Sequence, residues 1–287
     1  MMILSYDISE LIPYINWPYF FFAWQVKEQS EKDRLRQEAE AFLKQLEGKY
    51  HAYGLFELFE AHGDGDDIVV CKGVRSQETG GRSQESGVCR IPCLRQQQGN
   101  PPYLCLSDFI SPHKISTDSS LLTSDSSKIG VFSTSVSLGL ETDFDDNPYR
   151  KMMTQLLADR LAEAAAERMH EQVRKEYWGY AKDENLSIPD MLVEKFQGIR
   201  PAVGYPSLPD TSLNFIIDDL LDMKQIGIRL TESGAMKPHA SVSGLMLAHP
   251  EARYFSIGKI GEDQLRDYAH RRGLPLELCR KFLAGNL

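Results

Sequence analysis

The chain has 287 residues, 42% of them hydrophobic and 25% charged, with 41 acidic against 32 basic side chains and a formal net charge of −9. That composition supplies enough apolar side chains for one large domain or two small ones, and the acidic balance argues against nucleic acid or an anionic membrane as partner, since either favours clustered Lys and Arg. No run of about eighteen apolar residues occurs, and the opening MMILSYDISELIPYI lacks the basic start of a signal peptide, so a soluble, cytoplasmic protein is expected.

Residues 10–24 are dense in rings (Tyr14, Trp17, Tyr19, Phe20, Phe21, Phe22 and Trp24), which predicts core for most of them; Asn16 interrupts the run. Residues 30–47 predict an amphipathic helix with Ser30 as N-cap and Gly48 as its stop. A strand is predicted at 67–74 after the turn signal HGDGD. Residues 75–102 are rich in Gln, Ser and Gly and predict an exposed loop. The stretch 104–110 reads as a strand end or a helical turn, 116–127 as a further polar loop, and 128–140 as a strand with one buried face. The five cysteines (71, 89, 93, 105 and 279) make a poor disulfide framework. Cys89 and Cys93 could form a zinc clip, but no second pair lies nearby, so reduced thiols and no metal site are expected.

Asn147 and Pro148 form a cap and first position for a helix over 149–177. Its apolar stripe is Met152, Leu156, Leu157, Leu161, Ala164, Ala165 and Met169, and its small Ala162, Ala164, Ala165 and Ala166 let another backbone come close. Asp159, Glu163 and Glu167 stand four apart, a like-charge row that costs about 0.2–0.5 kcal/mol per pair unless solvated or partnered; Glu167 reads as part of a solvated face. Strands are predicted at 228–233, 240–247 and 254–260. Two closing helices follow, one from Gly261 to Gly273 and one from Pro275 to near Gly285. Strands joined by short connections favour antiparallel pairing, so the expected fold class is α+β, a bent antiparallel sheet flanked by helices. No G-x-G-x-x-G follows a strand and no Walker loop, H-E-x-x-H, G-x-S-x-G or C-x-x-C occurs; Gly63-Asp64-Gly65 precedes a strand and reads as a hairpin turn. A Rossmann-type methyltransferase is therefore disfavoured.

The densest functional signal lies in 200–260, in RPAVGYP, LTESGAMKPHASVSG and HPEARYFSIGKI. Arg200 precedes a Pro-x-x-Gly-Tyr-Pro turn, which fixes a guanidinium on a stiff backbone. Tyr254 and Phe255 are adjacent and in a strand would face opposite ways, one ring towards a pocket and one into the core. An arginine, a rigid turn and an aromatic face suit a ligand with a carboxylate, a flat ring and a positive centre.

Together with YINWPYFFFAW, LADRLAEAAAERMHEQVRKEYWGYAKDENLS and QGIRPAVGYP, in that order, these strings resemble the S-adenosylmethionine-binding activation domain of cobalamin-dependent methionine synthase, from about Leu11 to Leu287. The resemblance implies a single C-shaped domain over 1–287, with an N-terminal helical and aromatic segment at 1–50 and the polar loop 75–102 within it. It implies S-adenosylmethionine as ligand. Arg200 would grip the carboxylate, the backbone from Ala202 to Tyr205 the adenine edge, and Tyr254 and Phe255 the adenosyl or sulfonium side. In the family the last of these is often a second tyrosine. Asn16 falls where the family usually has an aspartate for the ligand's ammonium, so a neutral acceptor replaces a charged one, with Glu194 as a compensating carboxylate. Asp159 and Glu163 match an acidic face that meets the cobalamin domain. The implied role is repair in methionine biosynthesis. A flavodoxin or flavoprotein reductase reduces the oxidised cobalamin, and the domain presents S-adenosylmethionine so that cob(I)alamin takes its methyl group. The protein's part is orientation, with no catalytic acid or base. No D-x-H-x-x-G corrinoid motif or zinc thiolate set is present, so cobalamin is held by a partner domain or subunit and the chain is not competent alone. A separately encoded subunit and an excised fragment are both compatible with one such domain. The competing reading is a non-catalytic S-adenosylmethionine sensor or interaction module with the same fold, favoured by Asn16, Phe255 and the polar loop.

Overall fold

The computed structural model describes residues 1–72, 87–111, 128–144 and 147–287. The elements in chain order are β1 (Met2–Asp7), α1 (Ile8–Leu11), α2 (Trp17–Ala23), α3 (Gln29–Leu46), β2 (His51–Asp64), β3 (Asp67–Cys71), β4 (Val88–Pro92) and β5 (Lys128–Val136). There follow α4 (Gly139–Thr142), α5 (Pro148–Gln172), α6 (Ile188–Leu192), α7 (Asn214–Leu221), β6 (Arg229–Leu230), β7 (Met236–Lys237), β8 (Ser241–Met246), α8 (Glu262–Arg272) and α9 (Leu276–Phe282). One open sheet has the order β4-β3-β2-β5-β8 with β1 paired to β2, and β6 and β7 make a separate two-stranded ribbon. The pairs β1–β2, β2–β3, β3–β4 and β6–β7 are antiparallel. This is the α+β class that the pattern predicts. The chain clusters into two compact units, the first comprising Met1–Phe56, Phe132–Phe196 and Leu221–Ser243, the second Glu57–Val131, Gln197–Leu220 and Gly244–Leu287.

In the first unit α5 is the central helix, in contact with α1, α2 and α4. Its start is as predicted: the Asn147 side chain accepts from the amides of Tyr149 and Arg150 at 3.0 and 3.1 Å, and Pro148 takes the first position. Leu157, Leu161, Ala164, Ala165 and Met169 are buried. The alanines do allow close approach, since the Thr134 hydroxyl of β5 reaches the Ala162 carbonyl at 2.9 Å. A Cβ on Gly54 of β2 would stand 2.9 Å from the Met169 sulfur, so any larger residue there would require the Met169 side chain to shift. Helix α5 continues into a π-helical turn, Val173–Tyr177.

Three expectations for this unit need correction. Glu167 is buried, 9% exposed, rather than on a solvated face, because α5 is covered on more than its apolar stripe. The aromatic run is not mostly core: Trp17 and Phe20 are buried, whereas Tyr19 and Phe22 are 63% and 82% exposed. Helical periodicity explains it, since positions 17 and 20 share one face of α2 and positions 19 and 22 lie on another. Helix α3 starts at Gln29, with Glu28 rather than Ser30 at the cap position; Gly48, at φ +72°, follows its end as predicted. The stretch 128–140 also departs from its reading. Strand β5 stops at Val136, is buried on both faces from Ile129 onward, and gives way to α4 at Gly139.

In the second unit Gly65, at φ +59°, turns the β2–β3 hairpin as the HGDGD signal predicts. Strand β3 ends at Cys71, and residues 73–74 of the predicted strand lie outside the described residues. The exposed-loop reading of 75–102 fails at 88–92, where β4 pairs with β3 from Asp67↔Pro92 to Cys71↔Val88; residues 75–86 lie outside the described residues, as does the loop 116–127. Within 104–110 the helical-turn alternative holds, as a 3-10 turn at Leu106–Phe109. The predicted strand 228–233 shrinks to the two residues of β6, in the first unit, and 240–247 holds as β8. The predicted strand 254–260 has no ladder. Its amides bond a turn and the chain end instead, Ile257 N–H to the Pro206 carbonyl at 2.9 Å and Ile260 N–H to that of Asn286 at 2.8 Å. Helices α8 and α9 close a core of Leu94, Ile257, Leu265, Tyr268, Cys279 and Leu283, with Gly273 at φ +63° ending α8 as predicted. Among the described residues no helix is long and apolar enough to cross a membrane, and no cluster of His, Cys, Asp and Glu could hold a metal ion. All five cysteines are free thiols.

Candidate functional site

Arg200, Ala202, Tyr205, Tyr254 and Phe255 come together in the second unit, around one turn. The segment leading into it pairs with β8 and its continuation, through the bridges Ile199↔Leu247 and Ala202↔Gly244 and a 3.0 Å bond from Leu245 N–H to the Pro201 carbonyl. The turn then closes on itself: Tyr205 N–H bonds the Ala202 carbonyl at 3.2 Å, Leu208 N–H the Tyr205 carbonyl at 2.9 Å, and Gly204 N–H the Leu208 carbonyl at 2.8 Å. Gly204 sits at φ +87°, which a side chain would strain, so the glycine of the Pro-x-x-Gly-Tyr-Pro pattern has a conformational reason. Prolines 201 and 206 lock φ on either side of it.

The Tyr254–Phe255 segment is fastened to this turn at three places. The Arg200 amide donates to the Tyr254 hydroxyl at 2.8 Å, the Ser207 hydroxyl donates to the Phe255 carbonyl at 2.6 Å, and Ile257 N–H bonds the Pro206 carbonyl. Phe255 is the ring that anchors: it packs against the α8–α9 core and lies 6.3 Å from the Phe109 ring. Arg200 and Tyr254 are half-buried, and Tyr205 is 50% exposed. A half-buried guanidinium, two tyrosine rings and the amides and carbonyls of a rigid turn therefore share one region. That donor set suits an anionic, planar ligand.

Asn16, Glu194, Asp159 and Glu163 belong to the first unit. Asn16 occupies the N-cap position of α2 yet makes no side-chain capping bond, so its amide is not used to start the helix. Glu194 is exposed and holds φ +62° immediately after the C-cap of α6, with its amide bonded to the Met191 carbonyl at 2.9 Å. That is the left-handed position that ends many helices, unusual for a side chain larger than asparagine. Asp159 and Glu163 are half-buried on α5. Burial pushes the Asp159 carboxyl above its ordinary value; Arg160 opposes this, and Glu141 and Glu163 add to it.

Sequence reasoning missed the residues that hold the turn. Ser207 directly follows the pattern, and Asp210, three residues on, caps the 3-10 turn Thr211–Leu213, accepting from Ser212 N–H at 2.8 Å. An Asp two residues before Ser212, after Pro209, was a readable capping signal.

A family model described as "Vitamin B12 dependent methionine synthase, activation domain" matches residues 7–273. The chain belongs to this family. Among solved structures, a crystal structure of the MetH reactivation domain bound to AdoHcy is 35% identical, covering 100% of this chain and 90% of that one with a TM-score of 0.84. The activation-domain match spans both units and runs through the Arg200 turn and the Tyr254–Phe255 segment.

Proposed function

We propose that this activation domain binds S-adenosylmethionine and presents its methyl group to cobalamin held by a partner domain or subunit of methionine synthase during reductive reactivation. The observation that carries the proposal is the likeness, along the whole chain, to a reactivation domain bound to AdoHcy, which is S-adenosylmethionine without the transferred methyl. The residues present fit such a ligand. The Arg200 guanidinium is the partner for the amino-acid carboxylate, the backbone from Ala202 to Tyr205 for the adenine edge, and the Tyr254 ring, with Phe255 behind it, for the adenosyl or sulfonium side. Asn16 offers a carbonyl oxygen to the ammonium, and Glu194 a carboxylate.

In this reading the chain's work is binding and orientation. The partner's cobalamin supplies the nucleophile, and the sulfonium is already an excellent leaving group. No side chain has to move a proton. What the residues contribute is a fixed direction for the sulfur–methyl bond, worth far more than any single contact once the reactants are held together. Asp159 and Glu163 form the face towards the cobalamin partner, a flavodoxin or flavoprotein reductase supplies the electron, and the setting is the cytoplasm.

Calorimetric titration with S-adenosylmethionine and S-adenosylhomocysteine tests the reading, with saturable binding of either at micromolar to sub-millimolar strength as the expected result. Absence of binding up to millimolar ligand, with and without a cobalamin partner, would overturn it. The neutral Asn16 favours the alternative of a non-catalytic sensor or interaction module in that event.

A further inference from the structure

The ligand turn ends on a buried charged group that the reading above does not use. Asp210 is 1% exposed, two residues beyond Leu208, where the turn closes. Its carboxylate accepts from Ser212 N–H at 2.8 Å and from the Tyr268 hydroxyl at 2.7 Å, and the Arg272 guanidinium lies 3.5 Å away, itself bonded to the Ser212 hydroxyl at 2.7 Å. Tyr268 and Arg272 stand four apart on α8, so one face of that helix addresses the root of the turn. Tyr268 is 1% exposed, and the Arg272 side chain, 7% exposed, is the third member of a largely buried polar cluster.

Removing a carboxylate and a guanidinium from water is costly, and an apolar cluster of equal volume often serves stability as well or better. An ionic cluster does something an apolar one does not: its bonds are directional, so it admits one geometry. Here that geometry fixes the end of the turn, while the Arg200–Tyr254 and Ser207–Phe255 bonds fix its start and middle. We infer that Asp210, held by Tyr268 and Arg272, is a positioning residue for the Arg200–Leu208 turn, keeping it in its binding conformation before ligand arrives. The inference rests on the S-adenosylmethionine reading for its consequence, but not for its mechanics.

Tyr268→Phe is the informative variant, because the ring stays in the core and only the hydroxyl is lost. Two readouts separate the possibilities. Amide hydrogen exchange without ligand is expected to show faster exchange at Gly204 and Leu208, with the β3–β4 ladder unchanged. S-adenosylmethionine affinity is expected to fall about threefold to tenfold, the equivalent of one ordinary hydrogen bond. Asn147→Ala, far along the chain at a helix cap, serves as the comparison: it lowers thermal stability without changing either readout. Unchanged exchange at Gly204 and Leu208 in Tyr268→Phe overturns the inference, whatever happens to overall stability. Faster exchange with unchanged affinity overturns the link to binding. If the parent chain binds neither ligand, the functional reading falls while the exchange measurement still decides whether Asp210 holds the turn.

Discussion

Arg200 is the residue on which ligand affinity should depend most. Its backbone is pinned by the Tyr254 hydroxyl and by the turn that follows, so the guanidinium projects from a fixed point. Charge-assisted hydrogen bonds contribute about 1.5–3 kcal/mol each, so Arg200→Ala is expected to weaken S-adenosylmethionine binding by roughly tenfold to a hundredfold in calorimetry. Unchanged affinity would remove Arg200 from the site. Asn16 makes the opposite prediction. Its amide is not used to cap α2, so a change there leaves the helix start intact. Replacing a neutral acceptor with a charged one roughly doubles a hydrogen bond to an ammonium, so Asn16→Asp should tighten binding by about 1 kcal/mol, near fivefold. No gain would mean the ammonium is held by another group. As candidates, Arg200 stands out from its rigid Pro-Gly-Tyr-Pro context and Asn16 only through family resemblance. Asp210 and Ser207 were not singled out, because their partners, on α8 and at Phe255, are brought to them only by the fold.

Among elements, those with strong local punctuation were readable. The Asn147–Pro148 start of α5, the Gly273 end of α8 and the Gly65 hairpin each follow from one or two residues. Strand β4 sits behind a polar stretch, so composition pointed to loop where pairing with β3 makes strand. The stretch 254–260 erred the other way: its residues suit a strand, but the Ile257 amide bonds Pro206 of the Arg200–Leu208 turn and the Ile260 amide bonds Asn286 near the chain end. The end of α5 offers a test of tertiary over local control. Arg174 lies on the π-helical turn, is fully buried, and donates to Glu184 at 2.9 and 2.6 Å while covering the Phe196 ring at 4.1 Å. The His170 ring meets the same phenyl edge-on at 5.0 Å. Arg174→Met keeps most of the bulk but strands the Glu184 carboxylate, only 8% exposed, without its cation. The expected cost is about 3–5 kcal/mol in chemical denaturation, with much of it recovered in the double variant with Glu184→Gln. A loss under about 1 kcal/mol would show that the pair is not what holds this turn.

At the scale of the whole molecule, ligand binding and partner engagement should be separable, and Asp159 is where to separate them. Burial, with Glu141 and Glu163 adding, holds its carboxyl above the ordinary value, against the pull of Arg160 and His239. A carboxyl whose folded pKa is raised binds its proton more tightly in the folded state. Its contribution therefore favours the fold in acid and turns unfavourable as the pH rises through the folded value. Within the fold, Arg160 and His239 do not fully compensate the ionised carboxylate. A cationic partner group set against Asp159 and Glu163 would. Asp159→Asn should accordingly melt at a higher temperature than the parent at neutral pH, with the gap closing as the pH falls and the parent carboxyl takes up its proton. It should bind S-adenosylmethionine as the parent does and yet support reactivation of a cobalamin partner less well. A lower melting temperature at neutral pH would mean the carboxylate is already paired within the fold, and a loss of ligand affinity would move Asp159 into the binding site. Stability gained and partner function lost, in one substitution that leaves the ligand alone, is the pattern of a group held at a cost for an encounter outside this chain.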